Sequence, residues 1–464
     1  MKQNKVLPGA REKLPIWFSA AWSTRSVALS LNMAMAGYSS LYYTDVLGLN
    51  PAIIGIMLMV SKFFDAFTDI IIGYIVDRTK TKLGKARPYE IAIVFLWLFI
   101  FLMYATPNMG KLATYAWVFI TYTLQSAVCI TILYGTDTVY LVRAVRTEKN
   151  RTKVTAAAGV YNMLFGTIVG MIIPQVMQHV GVDRRSWAMV ALCMAIPCAT
   201  IGMLRFFLIP ELDAEESKTE DTDVAHVADE KEKMGLKVAV KGLLSNKYLG
   251  MFAIMYFCYH LANGISAGAQ TYYLKYIVGN LGIGTWMNAG MMIILPLLLF
   301  TPKIMEKLGT VKTLRLGLIL MLVGPAIRMV GGTNLTTLIF GYILFVAGSV
   351  PIAFMLNIYL FECMDYGEWK TGLRIEGMMG SITSFMSKVA SAVSSSGVGI
   401  IMTLTGYVGT AQVLSTSAEN GIKILFNVIP MIIVLIALLI SFKYNVEKKL
   451  PEIRADLEKK KEAN

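Results

Sequence analysis

The chain has 464 residues, 56% hydrophobic and only 16% charged, which excludes a soluble globule and points to an all-α membrane protein. Its 43 Lys and Arg outnumber 30 Asp and Glu, for a net charge of +13. The basic residues flank apolar stretches on alternate sides, which argues against nucleic acid as their partner.

The first 14 residues are polar and carry Lys2, Lys5, Arg11 and Lys13. The apolar stretch that follows, about 30 residues, is far longer than a signal h-region, so the first helix is expected to stay, with the N-terminus inside. Twelve transmembrane helices are expected near 15–43, 51–76, 88–107, 113–141, 154–179, 186–209, 248–277, 283–305, 313–331, 335–361, 376–407 and 421–442. One set of loops holds Arg78, Lys80, Lys82, Lys85 and Arg87, then Arg143, Arg146, Lys149, Arg151 and Lys153, then Lys303, Lys307, Lys312 and Arg315. The opposite loops hold few basic residues, so both termini are expected in the cytoplasm of a cell inner (plasma) membrane protein.

The second span carries Lys62, Asp65 and Asp69 and ends at Asp77-Arg78. An ionisable group at bilayer depth costs roughly 3 kcal/mol or more. Asp65 and Asp69 sit at i and i+4, so they share one helix face about 6 Å apart. Two like charges that close repel unless a cation or proton lies between them, which is the physical shape of a coupling-ion site for Na+ or H+. At about 1.5 Å per residue, Asp65 lies about 18 Å from the Asp77 end, near the midplane. The plainer reading makes both acids solvated residues near a helix end.

Five cysteines lie in or at the ends of apolar spans without metal-ligand spacing, and the three histidines form no cluster. No nucleophile–base set and no phosphate loop is present, so neither an enzyme nor a cofactor is expected.

Residues 210–247 change character: Glu211, Asp213, Glu215, Glu216, Glu220, Asp221 and Asp223 sit among few apolar residues. This acidic linker divides the chain into six-helix bundles at 1–209 and 248–442, with a cytosolic tail at 443–464. The halves repeat weakly. The first span ends Tyr42-Tyr43-Thr44-Asp45-Val46-Leu47-Gly48, and the seventh ends Tyr272-Tyr273-Leu274-Lys275-Tyr276-Ile277-Val278-Gly279. Duplicated six-span halves are the parallel repeat of the major facilitator fold. The simpler account is that tyrosine pairs mark membrane interfaces.

Longer motifs carry a resemblance. They are Tyr42-Tyr43-Thr44-Asp45-Val46-x-Gly48-Leu49, Lys62-x-x-Asp65-Ala66-x-x-Asp69, Gly73-x-x-x-Asp77-Arg78-Thr79-x-Thr81-x-x-Gly84-Lys85-x-Arg87-Pro88, and Met364-Asp365-Tyr366-Gly367-Glu368-Trp369-Lys370-Thr371-Gly372-x-Arg374-x-Glu376-Gly377, followed by Ser384-Phe385-x-x-Lys388. Over nearly its whole length the chain resembles the glycoside–pentoside–hexuronide:cation symporters of the major facilitator superfamily. The resemblance implies that Asp65 and Asp69 hold Na+, Li+ or H+, and that Lys388, the lone lysine of span eleven, lies close to them.

The sugar end departs from the family's melibiose carriers. Their Lys-Asp pair in span one is Ala28-Leu29 here, with Arg25 and Asn32 a turn away. Their span-four aspartate is Tyr134, with Thr131 and Asp137 three residues to either side on the same face. An arginine early in span five is Gly159. Arg25, Asn32, Thr131, Tyr134, Asp137, Lys388 and Ser384 are therefore the coupling and substrate candidates. Two alternatives stand beside this: Asp137 paired with Arg143 or Lys153 at a helix end, and Arg25 reaching the headgroups. Asp77, Arg78, Asp365, Arg374 and Glu376 are the expected cytosolic gate. The expected function is cation-coupled symport of a glycoside, pentoside or hexuronide by alternating access, with a lysophospholipid or drug as the alternative cargo. A small-molecule sugar and membrane lipid are the expected partners, and a monomer the expected working form.

Overall fold

The computed structural model describes residues 9, 14–79, 81, 83–212, 246–290, 292, 294–371, 376–411 and 413–462. They are helical, with no strand among them beyond an isolated Thr81–Gly84 bridge. The chain divides into two compact units, Met1–Thr222 with Val408–Val413, and Asp223–Tyr407 with Leu414–Asn464.

The first unit holds α1 (Ile16–Ala36), α2 (Pro51–Arg78), α3 (Arg87–Tyr104), α4 (Lys111–Ala144), α5 (Glu148–Val180) and α6 (Arg184–Leu208). The helices start where the sequence caps them. Asn50 accepts from the Ala52 and Ile53 amides ahead of Pro51, and Asp183 accepts from the Ser186 amide. The second unit holds α7 (Lys247–Tyr272), α8 (Ile283–Gly290), α9 (Ile294–Leu308), α10 (Thr310–Gly331), α11 (Leu335–Phe354), α12 (Leu356–Thr371) and α13 (Glu376–Leu404). There follow α14, which runs from Thr416–Lys423 through a π-helical turn at Ile424–Val428 into Ile429–Lys443, and α15 (Leu450–Glu462).

Among the described residues, eight helices are long and apolar enough to cross a membrane. The other expected spans are also helical, the eighth in two pieces, α8 and α9. The expected tenth span is broken at Met355, four residues after Pro351, into α11 and α12.

The repeat extends to packing inside each unit. In the first, α1 lies on α5 and α6, and α3 lies on α6. In the second, α7 lies on α13 and α14, and α10 lies on α14. α1 is followed by a π-helical turn at Tyr42–Val46, and α7 by one at Tyr273–Val278. Each turn is followed by a glycine at positive φ, Gly48 (66°) and Gly279 (77°). The repeated tyrosines are core anchors and not an interfacial belt. Tyr42 and Tyr43 are fully buried, and the Tyr42 hydroxyl donates to the Tyr104 carbonyl at 2.8 Å.

A second repeated device sits at the start of α3 and α10. The Glu211 carboxylate, just past α6, accepts from the backbone amides of Lys85 (2.8 Å), Ala86 (2.7 Å) and Arg87. The Glu447 carboxylate, just past α14, accepts from the Val311 amide at 3.0 Å. Gly84 (φ 113°) and Gly309 (φ 87°) lie against these carboxylates, and any Cβ there would collide with them. Each unit thus tethers the end of its last span to the start of its third by an acid on orphan helix amides.

Two expectations change. Residues 443–464, expected as a tail, contribute to the second core through the buried side chains Tyr444, Val446, Leu450 and Ile453. Arg454 pairs with Asp365 at 2.9 Å, and Trp369 donates to Asp456. An amphipathic helix with an apolar stripe buries it wherever a partner face is free, and α12 supplies that face. Likewise Glu211, expected in the solvated linker 210–247, is buried by its three amides; residues 213–245 lie outside the described residues.

Removing either carboxylate strands buried amides, a loss of about 1–3 kcal/mol per unsatisfied donor. Glu211→Ala and Glu447→Ala should each lower the thermal denaturation midpoint in detergent by several degrees, with Glu211→Gln intermediate. Midpoints unchanged in both alanine variants would show that the tethers add nothing.

Candidate functional site

Before Asp77-Arg78 at its end, α2 is interrupted by charge and hydroxyls only at Ser61, Lys62, Asp65, Thr68 and Asp69 in its middle, apart from the Tyr74 phenol. It packs on α4 where α4 widens into a π-helical segment, Leu124–Ile130. A π segment withdraws carbonyls from the regular ladder and leaves them for other donors. The Thr68 hydroxyl takes one, donating to the Ala127 carbonyl at 2.5 Å, and Ser61 and Ser126 pair at 3.2 Å. The same contact brings in Thr131, the first residue after the π segment. Its hydroxyl donates to Asp65 Oδ1 at 2.6 Å.

Asp65 is half-buried and Asp69, one turn on, is exposed. Two carboxylates and a hydroxyl make a hard oxygen set, the chemistry that suits an alkali cation or a proton and not a soft metal. Thr131, placed among the substrate candidates from sequence, therefore belongs with the acids. Among the described residues no group of three or more His, Cys, Asp or Glu side chains is placed to hold a metal.

A second charged cluster lies where α1, α3, α4 and α6 meet. Arg25 Nη1 donates to Glu90 Oε1 at 2.9 Å, and Nη2 donates to Asp137 Oδ1. Arg205 Nη1 donates to the same Oδ1 at 2.8 Å, and its Nη2 lies 3.7 Å from Glu90 Oε1. The Arg205 guanidinium also stacks over the Trp22 ring at 3.4 Å and sits 4.6 Å from the Tyr140 centroid. Side-chain exposure is 2% for Arg25 and 0% for Arg205 and Glu90, but 42% for Asp137. Two positive and two negative charges are thus closed off from water except at one corner.

Arg25 and Asp137 are brought together as partners of one another. The pairings of Asp137 with Arg143 or Lys153 are not the ones used, and Arg25 does not reach out to headgroups, because both find opposite charge within the bundle. Asn32 is corrected more sharply. It is fully buried and accepts from Gln125 Nε2 at 2.9 Å, so it lines no open cavity. Tyr134 is 55% exposed, three residues before Asp137.

In the second unit Lys388 is half-buried and Ser384 exposed on α13. Small residues let α13 approach α7 closely, with Gly268 against Val398 and Gly264 against Ser394. Arg78 is exposed, with its guanidinium 4.1 Å over the Tyr74 ring. Asp365 is held by Arg454. Arg374 lies outside the described residues, as do the side chains of Asp77 and Glu376.

Glu90, Arg205 and Gln125 escaped the reading of the sequence. For Arg205 a signal was present, since a charge four residues inside the end of an apolar span needs a counter-charge.

The sequence matches the MFS/sugar transport protein family over residues 25–448. It is 28% identical to the isoprimeverose transporter of Lactiplantibacillus pentosus, over 95% of this chain and 91% of that one. It is 25% identical to the glucuronide carrier protein homolog of Escherichia coli (strain K12), over 95% of each chain. Among solved structures, a D-xylose-proton symporter shares the fold at a TM-score of 0.63 and 12% identity, over 93% of this chain and 98% of that one. The chain belongs to the MFS/sugar transport protein family, and is accordingly a multi-pass membrane transporter and not an enzyme.

Proposed function

We propose that this protein is a symporter that couples the entry of a glycoside, pentoside or hexuronide to Na+ or H+. The observation that carries the reading is the Thr131 hydroxyl seated on Asp65, one turn from Asp69, in an otherwise apolar helix. Isolated acids there would be costly, while acids organised by a hydroxyl make a binding site. The sugar cargo is supported by the relatives, an isoprimeverose transporter and a glucuronide carrier homolog. It is also supported by polar side chains on exposed positions of the first unit: Tyr134, Asp137, and a Ser30–Asn162 hydrogen bond between α1 and α5. These favour a hydroxylated substrate over a lysophospholipid or drug.

In this reading the ion neutralises Asp65 and Asp69 and raises sugar affinity. Linkage makes the effect reciprocal, commonly about 1–3 kcal/mol. Lys388 is the tethered counter-charge of the unloaded acids and moves aside when the ion arrives. The units alternate access about a midplane cavity, with the charged segments at Asp77–Arg78 and Asp365–Glu376 as the inner gate. The carrier works as a monomer in the cell inner membrane with both termini in the cytoplasm.

Asp65→Asn and Asp69→Asn should abolish ion-driven accumulation in vesicles while the protein still reaches the membrane. Thr131→Val should raise the ion concentration for half-maximal stimulation several-fold, the scale of one hydrogen bond to a charged group. Wild-type gradients in either aspartate variant would place the ion site elsewhere.

Lys388→Ala should lose accumulation but keep downhill exchange, and Lys388→Arg should do poorly, since a planar fork does not replace a compact point charge. Full ion-stimulated uptake by Lys388→Ala would remove the lysine from the coupling mechanism.

A further inference from the structure

We infer that the substrate is electrically neutral and that Asp137 selects it. The inference rests on the sugar-carrier reading above and deepens it. The relatives leave the question open, since an isoprimeverose transporter and a glucuronide carrier homolog handle cargo of different charge.

The charge cluster of the first unit is asymmetric in what it shows to solvent. Its two guanidinium groups and Glu90 are sealed inside the bundle, and the exposed corner is a carboxylate. Both arginine hydrogen bonds land on Oδ1 of Asp137. No described residue hydrogen-bonds Oδ2, so that oxygen keeps its lone pairs for a ligand. An ionised carboxylate only accepts, and sugar hydroxyls donate. Two arginines anchored on Trp22, Tyr140 and Glu90 hold this acceptor in place before substrate arrives, so little ordering is needed on binding.

The surroundings suit the same ligand. Tyr134 presents a half-exposed ring three residues from Asp137 on the same helix face, an apolar platform beside a hydroxyl acceptor. Ser30 and Asn162, across α1 and α5, are neutral hydrogen-bonding groups. At Gly159 on α5 an added Cβ would meet nothing, so the position offers room and no charge.

A carboxylate or sulfonate on the substrate would need a cation with charge to spare. Arg25 and Arg205 are already balanced by Glu90 and Asp137. An anionic sugar at Tyr134 would instead meet Asp137 with like charge, a repulsion that screening reduces little in a partly buried site. Asp137 thus rewards hydroxyls and rejects acids with one group.

The test uses the purified full-length protein in proteoliposomes. Entry by exchange is measured at pH 7 for p-nitrophenyl glycosides of xylose, galactose and glucose, against the p-nitrophenyl glucuronide and galacturonide. Wild type should carry at least one neutral compound at least tenfold faster than either acid. Asp137→Asn should raise the KM for the neutral compound roughly tenfold, the scale of a hydrogen bond to a charged group, and narrow the neutral-to-acid ratio by as much. Asp137→Glu, which keeps the charge, should keep the ratio. Glu211→Gln, which loosens the tether at the start of α3 and makes no contact with Arg25, Arg205 or Asp137, should lower thermal stability and leave the ratio in place.

Acidic glycosides carried as fast as neutral ones by wild type would overturn the inference while sugar transport stands. So would an unchanged ratio in monodisperse Asp137→Asn, or a ratio lost equally in Glu211→Gln. Should Asp137→Asn not fold, the wild-type ratio and the Asp137→Glu ratio decide alone. If wild type exchanges none of the five compounds, the sugar-carrier reading falls, and the inference with it.

Discussion

A guanidinium taken out of water must find compensation within reach, because the lipid around the bundle supplies none. Much of the first unit's arrangement follows from that constraint. Arg25 on α1 and Arg205 on α6 are buried, so the start of α3 must bring Glu90 and α4 must bring Asp137 to the same point. Four of the unit's helices are thereby held in one relative placement. Removing one partner would leave an uncompensated charge, the costly case of about 3–5 kcal/mol, while the intact group is closer to neutral in stability. The cluster is better understood as setting position than as adding strength.

The second unit meets the same constraint by other means. Arg328 on α10 is fully buried, and no ion pair to a carboxylate is found for it among the described residues. Its guanidinium lies 4.1 Å over the Phe426 ring and 5.5 Å from that of Phe345, and donates to the Phe426 carbonyl at 3.1 Å. That carbonyl belongs to the π-helical turn of α14, where the regular ladder is interrupted and an acceptor is to spare. Aromatic faces and a freed carbonyl replace two acids. The repeated architecture therefore does not dictate repeated chemistry. What the halves share is the π turns after α1 and α7, and the carboxylates on the backbone amides of α3 and α10.

The π segment of α4 links architecture to the proposed coupling. It gives Thr68 an acceptor on α4 and sets Thr131 against Asp65. Six residues further along α4, about 9 Å of helix rise, stands Asp137. One helix thus carries the hydroxyl of the proposed ion site and the carboxylate of the proposed sugar site, and a shift of α4 at its π segment would move both. That gives reciprocal coupling a physical route between the two.

Periodicity and the cost of a buried charge are local properties, and the sequence alone determined whatever depends on them. The positions of the helices, the paired acids of α2 and the repeat at Tyr42 and Tyr272 were all legible in it. So was the need for Arg25 and Asp137 to have partners. Which partners they have was decided only by tertiary packing, since the groups lie 65, 112 and 68 residues apart in the pairs Arg25–Glu90, Arg25–Asp137 and Arg205–Asp137. Packing likewise set Thr131, a sugar candidate from the sequence, against Asp65 and sealed Asn32 against Gln125. It also folded the end of the chain onto α12. A helix face is written in three or four neighbouring residues, but the side chain that meets it is chosen by the whole bundle, through the requirement that each buried polar group find one.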